Sequence, residues 1–154
     1  DVFLFFGLFA DEAGHGRHHR IFGYLRVAEV IRLGAKPGHG PDCLKRFRFR
    51  HPHTIGDWND NNTVYVGQGG VARTAADRLR LSRPNGPVSR WRVPAWLPRC
   101  GLTYHGKPDC WATEGELQTV AKGQEFITDI GHDDVAKQWV EDIIQEIDRT
   151  GDPS

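Results

Sequence analysis

Asp1-Val-Phe-Leu-Phe-Phe-Gly7 opens the chain, and Arg20-Ile-Phe-Gly-Tyr-Leu-Arg-Val-Ala-Glu-Val-Ile31 follows after a polar stretch. The first run is rich in Phe and the second in Val and Ile, whose flat or branched side chains suit a pleated surface. The Gly and His residues between them cannot pack a core. The pattern predicts strands over 1–7 and 20–33 joined by an exposed loop. Further along, Thr63-Val-Tyr-Val66 reads as a compact strand that Gly67-Gln-Gly-Gly70 ends. Ser89-Arg-Trp-Arg-Val93 alternates, with Trp91 and Val93 on one face and Arg90 and Arg92 on the other. Leu102-Thr-Tyr104 and Glu125-Phe-Ile-Thr128 are predicted as further short strands.

The connecting segments carry their own signals. Residues 34–42 are rich in Gly and Pro, and Gly56-Asp-Trp-Asn-Asp-Asn-Asn62 is rich in residues that accept positive φ. Pro84-Asn-Gly-Pro87 is a strong turn, and Pro94 suits the first position of a one-turn helix at Ala95-Trp-Leu97. Residues 71–81 admit two readings. Val71, Ala75, Arg78 and Leu79 allow a short helix, while Leu79 and Leu81 fit strand alternation.

The C-terminal part is the most regular. Val135, Ala136, Trp139, Val140, Ile143, Ile144 and Ile147 recur at helical spacing on one stripe. Asp133 or Asp134 can cap a helix that runs to about Ile147 and complements its positive end. The stripe is expected to pack on the sheet. The fold class is therefore α+β, with five to seven short strands and one long terminal helix. Alternating βαβ units are absent, which argues against a doubly wound fold.

A length of 154 residues can bury one core, and residues 1–150 are expected to form a single α+β domain. A hydrophobic content of 38% with 26% charged residues fits a soluble globular protein. No apolar run is long enough to span a bilayer, and the N-terminus lacks a basic region and cleavage site. A cytoplasmic location with no membrane partner is expected. The chain begins with Asp and contains no Met, so a fragment or processed form is expected, its first strand starting upstream of Asp1. Cys43, Cys100 and Cys110 have no CxxC spacing and read as reduced thiols, a Cys100–Cys110 link across a hairpin being the alternative.

Net charge is zero but uneven. Residues 72–99 carry seven arginines against one acid, and residues 36–50 five bases against one acid. Residues 112–154 carry eleven acids against three bases. The acidic end fits a solvated helix face, and the basic middle suits phosphate groups.

Several residues can carry chemistry. In an extended segment, His51 and His53 of His51-Pro-His53 point the same way and could meet one metal ion, with His105 or Asp57 as a third ligand. Pro52 instead marks an edge or loop, where the same histidines would contact phosphate or base, or be structural. His15-Gly-Arg-His-His-Arg20 reads as a solvated turn or a basic flap near nucleic acid. Ser89-Arg-Trp-Arg-Val-Pro-Ala-Trp96 interleaves arginine and tryptophan, so it can hold phosphates and stack a base. Trp91 is read as core, and Trp96, at a Pro-initiated turn, as the wall of a pocket. Tyr104 and His105 follow a predicted strand, where either could bond a ligand or move a proton. Glu125 is either a buried base or a solvent-facing strand residue, the second being preferred. No P-loop, nucleophile elbow, HExxH or dinucleotide fingerprint occurs, so the sequence assigns no cofactor.

Six blocks carry a family resemblance, in order: Asp1-Val-Phe-Leu-Phe-Phe-Gly7, Ile21-Phe-Gly-Tyr-Leu25, His51-Pro-His53, Asn62-Thr-Val-Tyr-Val66, the stretch from Ser89 to Trp96, and Leu102-Thr-Tyr-His105. Gly123-Gln-Glu-Phe126, followed by Asp129, precedes the terminal helix. The chain resembles nucleotide modification associated domain 3, a family of phage and bacterial genomes. Its opening strands are also similar to those of PUA-like barrels of the EVE, ASCH and YTH types. Both resemblances concern modified bases, and the second implies a small mixed β-barrel with a C-terminal helix. Set against the family, the chain is expected to lack an N-terminal region and to have a shorter Gly67–Gly70 segment.

Three functions follow as expectations. In a binding module for DNA or a modified nucleotide, Trp96 and Tyr104 stack, while His51, His53 and His105 make polar contacts. Arg90 and Arg92 then hold phosphates, with Trp91 between them. In an enzyme acting on a nucleotide or DNA base, His51, His53, His105 and Glu125 converge in one cleft as the acid–base or metal set. A structural component of a modification complex, joined to other base-modification proteins, would show an exposed apolar patch and no polar pocket.

Overall fold

Three strands make the larger sheet, in the order β1 (Val2–Phe9), β2 (His18–Arg32) and β3 (Thr63–Val71). A computed structural model of the chain describes residues 1–12, 14–111, 113–120 and 125–150. Leu33 N–H donates to the Asn62 carbonyl and Ala72 N–H to the Phe22 carbonyl, each at 2.9 Å. Residue numbers thus rise along β3 as they fall along β2, which makes the pair antiparallel. β4 (Arg90–Arg92) and β5 (Glu116–Gln118) form a second, two-stranded antiparallel sheet with Trp91 opposite Leu117.

Among the described residues the strands form these two sheets and no closed barrel. Two of the predicted strands, Leu102–Tyr104 and Glu125–Thr128, are not strands. Leu102–Tyr104 turns instead of extending, because Gly101 and Tyr104 take positive φ and His105 N–H closes back onto the Leu102 carbonyl. Residues 125–128 have no regular structure. The two segments do meet, but only through Thr103 N–H to the Ile127 carbonyl and Ile127 N–H to Thr103 Oγ1. Arg80 and Ser82 add single antiparallel bridges to Arg20 and Trp91.

The glycine run after Val66 does not end its strand. β3 continues through Gly67–Gly70 to Val71 because glycine lets two backbones come close. A Cβ at Gly67 would lie 1.7 Å from the Arg26 carbonyl oxygen, so no other residue fits without moving β2 from β3. The ambiguous stretch 71–81 resolves into the end of β3, a 3-10 turn at Asp77–Leu79 and the bridging residues Arg80 and Ser82.

The one-turn helix comes slightly later than expected, as α1 (Leu97–Cys100). The long helix α2 spans Asp134–Thr150, and Asp133 caps it by accepting Ala136 N–H at 3.0 Å. That bond holds the Asp133 carboxyl below the usual carboxylate range. No helix among the described residues is long and apolar enough to cross a membrane.

The chain divides into two compact units. Unit 1 comprises residues 1–3 and 25–69, and its core is Ile31, Leu44 and Val64 with Leu33 and Val66. Unit 2 comprises residues 4–24 and the described residues from 70 onward. Its core joins Ile21, Tyr24 and Leu79 to Ile143, Ile144 and Ile147 of α2. A second cluster of unit 2 holds Trp96, Leu97 and Ala136, and Trp139 packs against both clusters. The Tyr24 hydroxyl donates to the Asp148 carboxylate at 3.1 Å, satisfying a buried phenol. Cys100 and Cys110 are free thiols.

The fold is thus α+β, with antiparallel sheets and a C-terminal helix.

Candidate nucleic-acid interface

Lys45-Arg-Phe-Arg-Phe-Arg50 leads from a 3-10 turn at Asp42–Arg46 to another at Pro52–Thr54. Leu44 anchors the first turn in the core of unit 1. Thr54, also buried, anchors the second. Arg50 ties them together, donating from Nε to Thr54 Oγ1 at 3.2 Å and from Nη2 to the carbonyls of Gly38 and Thr54. Thr54 Oγ1 donates in turn to the His51 carbonyl at 2.7 Å. Asn62 Nδ2 donates to the His53 carbonyl at 2.9 Å and the Gly34 carbonyl at 3.2 Å.

On this frame the aromatic rings come outward. Phe49 is 74% exposed and Trp58 40%. Ring centroids follow one another: Phe47 to His51 at 6.4 Å, His51 to His53 at 5.4 Å, and His53 to Trp58 at 4.5 Å. The last pair is stacked, with 29° between planes. The Arg46 guanidinium lies 5.4 Å from the Phe47 centroid and that of Arg48 5.2 Å from Phe49. Such cation–π contacts hold each charge beside a flat apolar face. Rings with guanidiniums beside them are the arrangement that stacks bases and holds their phosphates.

The charge here is only partly compensated. Lys45 meets Asp42 at 2.7 Å and Arg46 meets Glu29 at 3.3 Å, both as solvent-exposed pairs of small energetic weight. Among the described residues, no carboxylate lies within ion-pair distance of Arg48. Burial, with His53 alongside, lowers the His51 pKa below the ordinary 6.5. The imidazole is therefore biased toward neutrality, and its Nδ1 accepts His53 N–H at 3.2 Å.

Among the described residues, no set of three His, Cys, Asp or Glu could hold a metal ion. Asp57 is exposed and does not complete a triad with His51 and His53.

Unit 2 holds the other predicted residues. The alternation of β4 puts Trp91 inward and Arg90 and Arg92 outward, as the sequence pattern requires. Arg90 lies 3.8 Å from Glu116, which also pairs with Arg83, and Arg92 lies 3.3 Å from Asp77. These carboxylates offset much of the local positive charge. Trp91 Nε1–H donates to His19 Nδ1 at 2.9 Å, and its ring meets Phe6 edge-on at 4.9 Å and Phe126 at 5.8 Å.

Trp96 is 4% exposed and meets Trp139 edge-on at 5.6 Å, because the turn at Pro94 directs it into the core. A base cannot stack on it in this arrangement. Tyr104 is 67% exposed. His105 is 1% exposed, with Nδ1 bonded to the Thr103 carbonyl at 2.8 Å and Nε2 accepting Val120 N–H at 3.2 Å. Both ring nitrogens are thus committed to backbone. Glu125 is exposed.

The His19–Trp91 bond has a pH consequence. Burial, and then His18, lower the His19 pKa below 6.5. The unfolded chain therefore binds a proton in a window where the folded chain does not. Stability is full above pH 6.5 and declines as pH falls toward the folded value. The melting temperature should drop across this window, and His19→Gln should reduce the drop. An unchanged pH profile in that variant would refute the assignment.

Phe47, Phe49 and Trp58 were not singled out by sequence reasoning. The alternating Arg46-Phe-Arg-Phe-Arg50 was the available signal, the same interleaving that marks Arg90-Trp-Arg92. No curated protein and no solved structure matches the chain. The family model of nucleotide modification associated domain 3 matches residues 1–129, a stretch containing the whole ring row, β4 and His105. The chain therefore belongs to the nucleotide modification associated domain 3 family, which links its role to nucleotide modification.

Proposed function

We propose that this chain binds single-stranded nucleic acid, or a nucleotide, bearing modified bases, with the ring row of unit 1 as the stacking surface. The observation that carries this reading is the succession of rings Phe47, His51, His53 and Trp58, exposed at Phe47 and Trp58 and half-buried at the two histidines, with Arg46 beside Phe47 and Arg48 beside the exposed Phe49. Stacking needs a base whose face is free, which a duplex does not offer until the base is extruded. The family link to nucleotide modification supports a modified base as the ligand. His51 and His53 supply polar edges, and Lys45, Arg46 and Arg48 supply phosphate contacts. Tyr104, exposed in unit 2, is free to stack. Arg90 and Arg92, each near a carboxylate, contribute less. Within unit 2, His105 is committed to backbone and Glu125 is exposed, which favours binding over acid–base chemistry there.

Tryptophan fluorescence tests this directly. Trp58 is far more exposed than Trp91 or Trp96 and should dominate quenching by a bound strand. Titration with single-stranded DNA at several salt concentrations should give saturable quenching. Each single-strand phosphate contact contributes about −0.7 to the slope of log affinity against log salt. Arg46→Gln with Arg48→Gln should therefore make the slope shallower by roughly 1.4. No quenching, or an unchanged slope in the double variant, would refute the interface.

A further inference from the structure

Arg20 and Arg80 form a single antiparallel bridge in unit 2 and stand directly opposite each other. Like charges in that position repel. Both side chains are half-buried, so solvent screens them incompletely. Their hydrogen-bond partners are backbone carbonyls and the His18 ring, not carboxylates. Arg20 donates from Nη1 to the Ala76 carbonyl and from Nε to His18 Nε2 at 3.3 Å. Arg80 donates from Nε to the Ser82 carbonyl at 3.1 Å. Among the described residues, no carboxylate lies within ion-pair distance of either.

A third arginine reaches the same segment through its backbone. Arg92 Nη2 bonds the carbonyls of Asp77 at 3.2 Å and Arg80 at 3.4 Å. Asp77 is the cluster's acid, and its carboxylate pairs with Arg92 rather than with Arg20 or Arg80. Among the described residues, Asp77 is thus the only carboxylate that pairs with any of the three arginines. Burial and the Arg80 charge both disfavour charged Arg20, and Asp77 opposes them. Two half-buried guanidiniums with no ion-pair partner of their own leave positive charge here that an anion can neutralise.

We propose that Arg20, Arg80 and Arg92 form a binding site for a terminal phosphate monoester. A monoester carries about −1.5 to −2 charges at neutral pH and presents three acceptor oxygens to forked donors. That charge matches three guanidiniums offset by one carboxylate, whereas a backbone phosphodiester supplies only one negative charge. The phosphate of a free nucleotide and the 5′-phosphate of a strand offer the same chemistry. This site lies in unit 2 and involves none of the residues of the ring row.

Thermal unfolding provides the test, with inorganic phosphate, 2′-deoxycytidine 5′-monophosphate, deoxycytidine and an oligonucleotide with and without a 5′-phosphate. The melting temperature should rise with the monophosphate and not with the nucleoside. A rise with the monophosphate identifies free nucleotide as a source. A rise confined to the 5′-phosphorylated oligonucleotide identifies a strand end. Arg80→Gln should melt slightly higher than the parent without ligand, because the repulsion is gone. It should bind phosphate roughly tenfold more weakly. Arg92→Gln, at an exposed position, repeats the test if Arg80→Gln fails to fold. Trp58→Ala should leave the phosphate response unchanged, which separates this site from the ring row. No rise with any phosphate, or equal rises in the parent and the arginine variants, would overturn the proposal.

Discussion

Trp58→Ala is expected to weaken binding of a single-stranded oligonucleotide by about 1–3 kcal/mol, or roughly 5- to 150-fold. The indole is the outer end of the ring row and the stacking partner of His53 at 4.5 Å. Its removal takes away a stacking face and the support that orients the next ring. The Trp58 indole N–H donates to the Ile55 carbonyl at 3.0 Å, a local bond whose loss should not unfold unit 1. Phe49→Ala is the cleaner companion. Phe49 is 74% exposed and lies beside the Arg48 guanidinium, so its truncation should spare the fold while removing a stacking face. Fluorescence anisotropy of a labelled oligothymidylate at fixed salt measures both, with circular dichroism to confirm folding. Parent-like affinity in both variants would rule out stacking on this face.

Ile147→Ala is expected to destabilise the protein by about 2–5 kcal/mol, the range for truncating a buried aliphatic side chain. Ile147 is fully buried and belongs to the cluster of Ile21, Tyr24, Leu79, Ile143 and Ile144. Deleting its outer carbons leaves a cavity between α2 and the strand residues Ile21 and Tyr24, which backbone hydrogen bonds hold in place. Val135→Ala, on the same helix but 65% exposed, should change stability by no more than about 0.5 kcal/mol. Urea unfolding of the two variants gives the comparison. Similar midpoints would mean that α2 does not pack as described. The result bears on the family as well, because the matched residues 1–129 end before α2 begins at Asp134. Ile21, Tyr24 and Leu79, inside the matched stretch, are buried by a helix outside it.

The elements legible in the sequence were those whose periodicity is strong and local. α2 announced itself through a stripe of apolar residues and an aspartate cap, although Val135, read as part of that stripe, is exposed at the helix start. β1 followed from a run rich in Phe, β2 from one rich in Val and Ile, and β4 from the alternation around Trp91. Where the outcome depended on a distant backbone, local rules failed. Gly67–Gly70 looked like a strand end, yet β2 supplies the partner that makes glycine necessary within β3. Leu102–Tyr104 looked extended, yet positive φ at Gly101 and Tyr104 turns it. β5 was missed because Glu116-Leu-Gln118 is too short to carry a period, and pairing with β4 defines it.

The candidate site divides in the same way. His51 and His53 stood out in the sequence, but their ring partners Phe47 and Trp58 did not. The sequence also could not show that Trp96 is packed against Trp139 while Trp58 stays outside. Tryptophan is equally suited to both environments, and only the course of the surrounding chain selects between them.

By itself, the sequence determined the α+β class, the terminal helix, the facing of Trp91 against Arg90 and Arg92, and the family. Those properties rest on short-range spacing and on residue order, which survive without coordinates. Only the tertiary structure decided that the described strands form two sheets, that the rings from Phe47 to Trp58 form a row, and that Arg20 meets Arg80. Each of these is a contact between residues that no period relates, and burial, backbone approach and charge settle it once the chain has folded.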